Sequence, residues 1–492
     1  MSRALPMLVA LLTTTILTPG FALPPGLVYN GSKVQPPSQP TRPAPTDVSG
    51  EQGYSLGELF PPQLEAWRIQ IRSGTGAETV LNADDLGEHL FDLYLVESGG
   101  RWDFVLDPDK AGNRERFRGI ASLALTGDPC PEKTLEVWVS WEGVPELKAE
   151  IQRWAERAGV VAKVVDVPSI KSKLITVLRG GGKVPDVVML QSDYLPDLAE
   201  AGALQPLDGL RLPATGAKGR EAFELSGKLL GAPFYCDTQL VFYSTKLIEQ
   251  APRPDWTLDD MERLAKASGA QVGAAWNAYS AYWFLPFVVG FGKDSIIGAG
   301  GRMDVRHPAY RKALSYLKES ITRKFMTPME RDAMMAYFTS GKAAFILSGS
   351  YSVPEFRRLG LPFGVAPFPL VSADGKRLAP MLDYKGWAVT RTTKSPVLAR
   401  RLVQHLSSAG VQAAFCEPQG KLPANDAAWA LLAAGNPYLA TIQASWEAGI
   451  AVPPDPVYGD FKNASWKLIR LFLGGDTDAD ETLSALATIL GE

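Results

Sequence analysis

The chain is poor in the residues that most often carry chemistry. It has three cysteines, Cys130, Cys236 and Cys416, far apart and odd in number. That excludes a disulfide framework and any Cys-x-x-Cys metal or redox motif, and leaves room for one bridge at most. Its three histidines, His89, His307 and His405, supply few candidates for a general base, and no His-Glu-x-x-His occurs. Neither sign of charge dominates: the net charge is −3 over 492 residues, so no strong attraction to nucleic acid follows. After the first residues no apolar run reaches the length of a membrane span; the longest, 283–291, is far too short. There is no Gly-x-Ser-x-Gly elbow, P-loop or dinucleotide fingerprint. Gly181-Gly182-Lys183 is followed by Val184, and the glycines at 298, 300 and 301 lack the last one of the motif.

What is present is an ordinary globular composition, 46% hydrophobic and 21% charged, long enough for two or three cores. Residues 1–22 read as a signal peptide. Arg3 precedes an apolar run over 4–17, and Pro19, Gly20, Phe21 and Ala22 form a small-residue cleavage region with no cysteine beside it for a lipid anchor. Residues 23–50 contain Pro24, Pro25, Pro36, Pro37, Pro40, Pro43 and Pro45 and read as an extended linker. Residues 51–128 read as a small α+β domain. A helix is expected over 62–71 with Leu64, Trp67 and Ile71 on one face, then a hairpin of 90–96 and 102–106 around Gly99 and Gly100. Asp107, Asp109 and Gly112 match the start of a calcium loop, but Ala111 replaces an oxygen ligand and Arg118 the terminal glutamate, so an acidic turn is expected.

From Thr134 onward strands and helices alternate: strands over 135–139, 160–167 and 185–190, helices over 145–158, 169–178 and 195–202. Units of this spacing need a parallel sheet with right-handed crossovers. Further on, Thr257 and Asp260 stand at capping-box spacing before a helix that ends at Gly269. Helices are expected over 282–289, 308–322 and 396–406 and beyond Trp466, with strands over 272–276, 341–347 and 386–389. At the centre, 231–246 reads as an apolar strand interrupted by Cys236 and Asp237.

Several pieces in this order resemble the substrate-binding proteins of ABC importers, in the large extracellular family that includes maltose-binding protein. They are Pro185-Asp186-Val187-Val188 with the stretch 198–208, Gly231-Ala232-Pro233 with Tyr243-Ser244-Thr245-Lys246, Trp256-Thr257-Leu258-Asp259, the stretch 338–344, and Gly364-Val365-Ala366-Pro367-Phe368-Pro369. The resemblance covers about 360 residues, 129–492. It implies an α/β periplasmic-binding-protein fold with two lobes. Lobe one would be 134–235 and 387–435, lobe two 240–382 and 440–492, with crossings at 236–239 and 383–386.

What the resemblance implies for function is capture of a carbohydrate, an oligosaccharide in the first instance, between lobes that close by a hinge. Delivery to an ABC permease in the periplasm would follow, without cofactor or metal. Its sugar contacts map onto Trp138, Glu142, Asp193, Asp237, Tyr282, Tyr351 and Trp466, the last at the start of a late helix. Flat aromatic faces stack on pyranose rings and acids accept from their hydroxyls. Four positions depart from the family pattern: Leu190 for a tryptophan, Tyr194 for an arginine, Ser280 for an acid, and Gly143 for a lysine. Trp138, inside an apolar strand, fits a core residue as well as a ligand platform, and Tyr282 beside Tyr279 and Trp283 fits ordinary helix packing. Two other readings stay open: a glycoside hydrolase using a pair among Glu142, Asp193 and Asp237, and a receptor whose N-terminal domain docks a sensor or surface partner.

Overall fold

The computed structural model describes residues 26–29, 32–33, 42–43, 52–55, 64–82, 93–106, 115–129 and 134–492, except 159, 208–209, 211, 299 and 433–436. The chain divides into two compact units, Met1–Pro129 and Cys130–Glu492. The signal segment 1–22 and the acidic turn at 107–113 lie outside the described residues.

In the first unit every described element is a strand: β1 (Gly26–Tyr29), β2 (Ser32–Lys33), β3 (Arg42–Pro43), β4 (Gln52–Ser55), β5 (Leu64–Ser73), β6 (Glu78–Asn82), β7 (Leu93–Ser98), β8 (Arg101–Leu106), β9 (Glu115–Phe117) and β10 (Ile120–Pro129). They form two sheets of five, ordered β2-β1-β10-β5-β6 and β3-β4-β7-β8-β9. The helix expected over 62–71 is strand β5. Leu64, Trp67 and Ile71 fit a helical stripe, but Ile69 and Ile71 also alternate with Gln70 and Arg72. The alternation prevails because β5 lies between two partners, β10 and β6, and seals Ile69 and Ile71 from water. The linker reading is corrected too, since β1 pairs in parallel with β10 and β3 pairs with β4. A count of prolines missed the short runs beside them, one of which, β3, pairs even though it contains Pro43. The hairpin stands as expected. Ser98 faces Arg101, and Gly99 and Gly100 both take positive φ, which a two-residue turn matched to strand twist requires.

The second unit begins with β11 (Thr134–Val139), β12 (Val161–Asp166) and β13 (Val187–Gln191), parallel and joined through helices Val144–Ala158 and Ile170–Arg179. After the short pair β14 (Glu224–Leu225) and β15 (Lys228–Leu229) comes β16 (Ala232–Ser244), 13 residues and every one buried. Then follow β17 (Val272–Trp276), β18 (Met326–Pro328), β19 (Ala343–Gly349), β20 (Phe363–Ala366), β21 (Met381–Val389), β22 (Leu422–Pro423) and β23 (Ile450–Ala451). The strand path runs β12-β11-β13-β21-β16-β19-β17-β18. β16 belongs to both halves of it. Residues up to Thr238 pair with β21, and from Gln239 onward the strand pairs with β19.

That change of partner is the first crossing between lobes, inside the expected 236–239. The second lies earlier than expected. Residues 383–386 pair with the part of β16 that precedes its change of partner, and the hand-over is at Met381 and Leu382, where Met381 N–H donates to Gln239 Oε1 at 2.8 Å. A third connection, β23, pairs in parallel with the same two residues.

The helix Leu258–Ala267 opens with the expected capping box, Thr257 and Asp260 each bonded to the other's backbone N–H. Such a cap stabilises by about 1 kcal/mol. The late helix, by contrast, is Pro456–Gly474, capped by the Asp455 side chain on Val457 N–H. Trp466 is therefore in mid-helix, not at its start. The Asp455-Pro456 pair is a standard start signal ten residues upstream of it. Among the described residues no helix is long and apolar enough to cross a membrane.

Candidate functional site

The crossing strand places Asp237 one residue before the change of partner, 1% exposed. A buried carboxylate is costly unless paired and hydrogen-bonded, and this one is both. Lys421 Nζ lies 3.1 Å from each of its oxygens, Lys385 Nζ lies 3.6 Å from Oδ2, and Ser350 Oγ donates to Oδ1 at 3.3 Å. Ser350 follows β19 of the other lobe and also accepts from Thr238 N–H at 3.2 Å, so the carboxylate ties the two lobes together. Asp237, expected as a solute contact, is occupied by the protein itself. Neighbouring Cys236 is a buried free thiol, pushed well up by burial and by Asp237, which keeps it protonated.

Lys421 is sealed from water and Lys385 nearly so. Lys421 also pairs with the exposed Glu142 at 3.1 Å, and Lys385 with Asp383. Burial works against the Lys385 ammonium, but Asp383 and Asp237 outweigh it and hold it firmly protonated. Burial raises Asp383 despite Lys385, and its Oδ1 has no hydrogen-bond partner. Both lysines lie over aromatic faces: Lys421 is 4.5 Å from the Tyr235 ring centroid, and Lys385 is 5.5 Å from that of Trp141.

Neither lysine was singled out from sequence. The resemblance led one to look for a cation at Gly143, and the structure explains why no side chain stands there. Gly143 has φ +76°, and a Cβ on it would sit 2.4 Å from the Phe415 ring. Lys421, from a distant part of the chain, brings the cation to Glu142 and Asp237.

Trp138, expected as a sugar contact, and Trp141, to which the sequence reading gave no role, differ in environment. Trp138 is 3% exposed, donates its Nε1–H to Glu136 at 2.9 Å and lies under Lys173, so it is a core residue of β11. Trp141, three residues on and held at φ 68°, is partly exposed, and its ring centroid is 6.3 Å from that of Tyr194. The corner Trp141-Glu142-Gly143, an aromatic and an acid at a strand's end, was the signal for it.

Asp193 sits in a 3-10 turn, Ser192–Tyr194, with Oδ2 on Lys462 at 2.7 Å and Oδ1 unpartnered. Tyr194 beside it is pushed up to about 12 by burial and by the charges of Asp193 and Asp383. Buried Tyr458 feels the same two acids. From lobe two, Tyr282 donates its hydroxyl to Met381 O at 3.2 Å, and burial together with Asp383, Tyr351 and Asp237 raises it. Tyr351 is raised by burial and by Asp237. Its ring packs against Gly349, where a Cβ would come within 2.1 Å of it.

Glu142, Asp193, Asp237, Tyr282 and Tyr351 thus gather around the crossing, whereas Trp138 does not. Trp466 joins a separate group. The Arg470 guanidinium lies 4.4 Å from its ring and 4.6 Å from that of Tyr279, and pairs with Glu330, which Asn277 also bonds. Glu142, Asp193 and Asp237, the candidates for a catalytic pair, are each taken up in a lysine ion pair. Among the described residues no three His, Cys, Asp or Glu side chains gather as metal ligands.

Two lobes joined by three connections, with polar and aromatic side chains converging where they cross, define a hinged solute-binding protein. The match is explicit: the chain belongs to the bacterial extracellular solute-binding protein family, which covers residues 151–444. Among curated relatives, the maltodextrin-binding protein MdxE of Bacillus subtilis is 25% identical over 332 residues, 63% of this chain and 78% of that protein. The maltotriose-binding protein of Pyrococcus abyssi is 26% identical over 204 residues, 40% of this chain and 45% of that protein. Solved structures share the fold. The GacH receptor of Streptomyces glaucescens superposes with TM-score 0.65 at 21% identity, covering 73% of this chain and 98% of its own. The Thermus thermophilus maltotriose-binding protein gives 0.63 at 23%, covering 72% and 98%. The portion left over is about the size of the N-terminal unit.

Proposed function

We propose that this protein captures a neutral oligosaccharide between its lobes in the periplasm and presents it to the permease of an ABC importer. The observation that carries the reading is the pair of unpartnered carboxylate oxygens, Asp193 Oδ1 and Asp383 Oδ1, set among Trp141, Tyr194, Tyr282 and Tyr351. Buried acceptors left without donors cost stability until a ligand supplies them. Sugar hydroxyls are such donors, and the rings offer faces for the C–H side of a pyranose. The names of the relatives, maltodextrin- and maltotriose-binding proteins, support the same substrate class.

Closure follows from placement. The aromatic tyrosines Tyr282 and Tyr351 belong to lobe two and the acids to lobe one, so a ligand touching both favours the closed state. Trp466, with Arg470, extends the lobe-two surface for a longer chain. The protein captures rather than transforms its ligand. Isothermal calorimetry against maltotriose, amino acids, polyamines and divalent cations tests the reading. Binding of the saccharide with no release of reducing ends is expected; a preference for a cation over every saccharide would overturn it.

A further inference from the structure

We propose that the N-terminal unit carries a second binding site, built for an acidic oligosaccharide and independent of the two-lobed unit. A cavity of about 850 Å³ opens in this unit where the β5–β6 turn, the start of β8 and the turn between β9 and β10 come together. Its charged lining consists of Arg101, Arg116, Arg118 and a single carboxylate, Asp103.

That carboxylate is already committed. Asp103 is 5% exposed; its Oδ2 accepts from Arg116 Nε at 2.6 Å and its Oδ1 accepts from Gly119 N–H at 2.8 Å. The lining is therefore left with a positive excess. Arg101 and Arg118 are exposed and have no side-chain ion pair among the described residues.

The site is also held in shape before any ligand arrives. Gly74 N–H donates to Gly119 O at 2.9 Å and ties the two turns together, while buried Asp103 orients Arg116. A basic turn that only faces solvent needs neither feature. Arg101 and Arg118 beside that frame supply guanidinium groups, which match the planar, two-oxygen geometry of carboxylates and phosphates.

Size and the remaining lining narrow the class. A cavity of this volume is far larger than one inorganic anion requires and suits several sugar rings. The half-buried Trp102 side chain lines the cavity as well, the residue type that packs against pyranose rings, and Thr75 adds a hydroxyl. The shared recognition element is an oxyanion on a saccharide, carried as a uronate or a phosphate ester.

The test uses the full chain at low salt, titrated in a calorimeter with tetragalacturonate, a phosphorylated maltotetraose and inorganic phosphate, with saturating neutral maltotetraose present throughout. Binding of at least one acidic saccharide is expected, weakening with added salt. Replacing Arg101→Gln together with Arg118→Gln should weaken it about ten-fold or more, with the melting temperature unchanged because both side chains are exposed. Whichever acidic saccharide binds more tightly identifies the anion. The proposal is overturned if neither binds, if the double substitution leaves affinity unchanged, or if inorganic phosphate binds as tightly as both. Loss of binding in Tyr351→Ala instead would place the event in the two-lobed unit and equally overturn it.

Discussion

Lys421 Nζ stands 3.1 Å from both carboxylate oxygens of Asp237, with neither side chain open to water. The contact joins residues 184 positions apart and fixes the strand that both lobes share. Removing one partner of such a pair leaves an uncompensated buried charge, while removing both does not. Lys421→Met is therefore expected to destabilise by about 3 kcal/mol, at the lower end because Lys385 and Ser350 remain on Asp237. Lys421→Met with Asp237→Leu should recover part of that loss. Urea unfolding of the three proteins decides it, and an unchanged midpoint in the single variant would sink the idea.

The acid limb of stability should depend on Glu150. Its carboxylate is held down at about 2, from an ordinary 4.5, chiefly by the hydrogen bond from His405 and further by Arg153, against a cost from burial. A depressed folded-state value stabilises the protein above the unfolded value. The contribution is lost as pH falls from about 4.5 to about 2. The group is partly exposed, so solvent screening reduces the effect to about 1 kcal/mol. Glu150→Gln should show a shallower loss of stability over that window, measured by denaturant midpoints at several pH values. Parallel curves for the two proteins would refute the assignment.

Most of the second unit was readable from sequence because its signals are local. The capping box at Thr257, the alternation of short strands with helices, and the apolar run of β16 each lie within about a dozen residues, the range over which periodicity works. What escaped depended on distant partners. Lys385 and Lys421 carry no local signal in the sequence, and only the fold brings them to Asp237. That Trp141 stands at the corner and Trp138 in the strand depends on where β11 ends, and element ends are poorly marked in sequence. In the first unit, three apolar residues at helical spacing outweighed the period-two alternation of β5, one of whose two neighbouring strands, β10, lies far along the chain.

Gly143 should not accept a side chain. Positive φ and the Phe415 ring both oppose a Cβ, so Gly143→Ala is expected to cost about 2 kcal/mol or more. Gly143→Ala combined with Phe415→Leu should regain the steric part but not the backbone part. Thermal melts of both variants test this. Wild-type stability in Gly143→Ala would show that the corner relaxes freely.

Residues 130–492 should fold and bind saccharide without the N-terminal unit, since the two units are separately compact. A protein beginning at Cys130 is expected to keep the full-length affinity for maltotriose within about two-fold, a change of less than about 0.5 kcal/mol. A larger loss would mean that the N-terminal unit contributes to the sugar site.

The two tryptophans of the first corner separate stability from binding. Trp138 is enclosed in the core of β11, so Trp138→Phe should lower stability by about 1–3 kcal/mol while leaving saccharide affinity almost unchanged. Trp141 is partly exposed beside Tyr194 and Lys385, and its positive φ is strained for a residue with a Cβ, a strain that glycine lacks. Trp141→Gly should therefore leave the melting temperature level or raise it. Affinity for maltotriose should fall by about 1–3 kcal/mol, as loss of one stacking face predicts. The pair of substitutions is read together by thermal melts and calorimetry. If Trp138→Phe were the one to abolish binding, the ligand platform would belong to the strand and not to the corner.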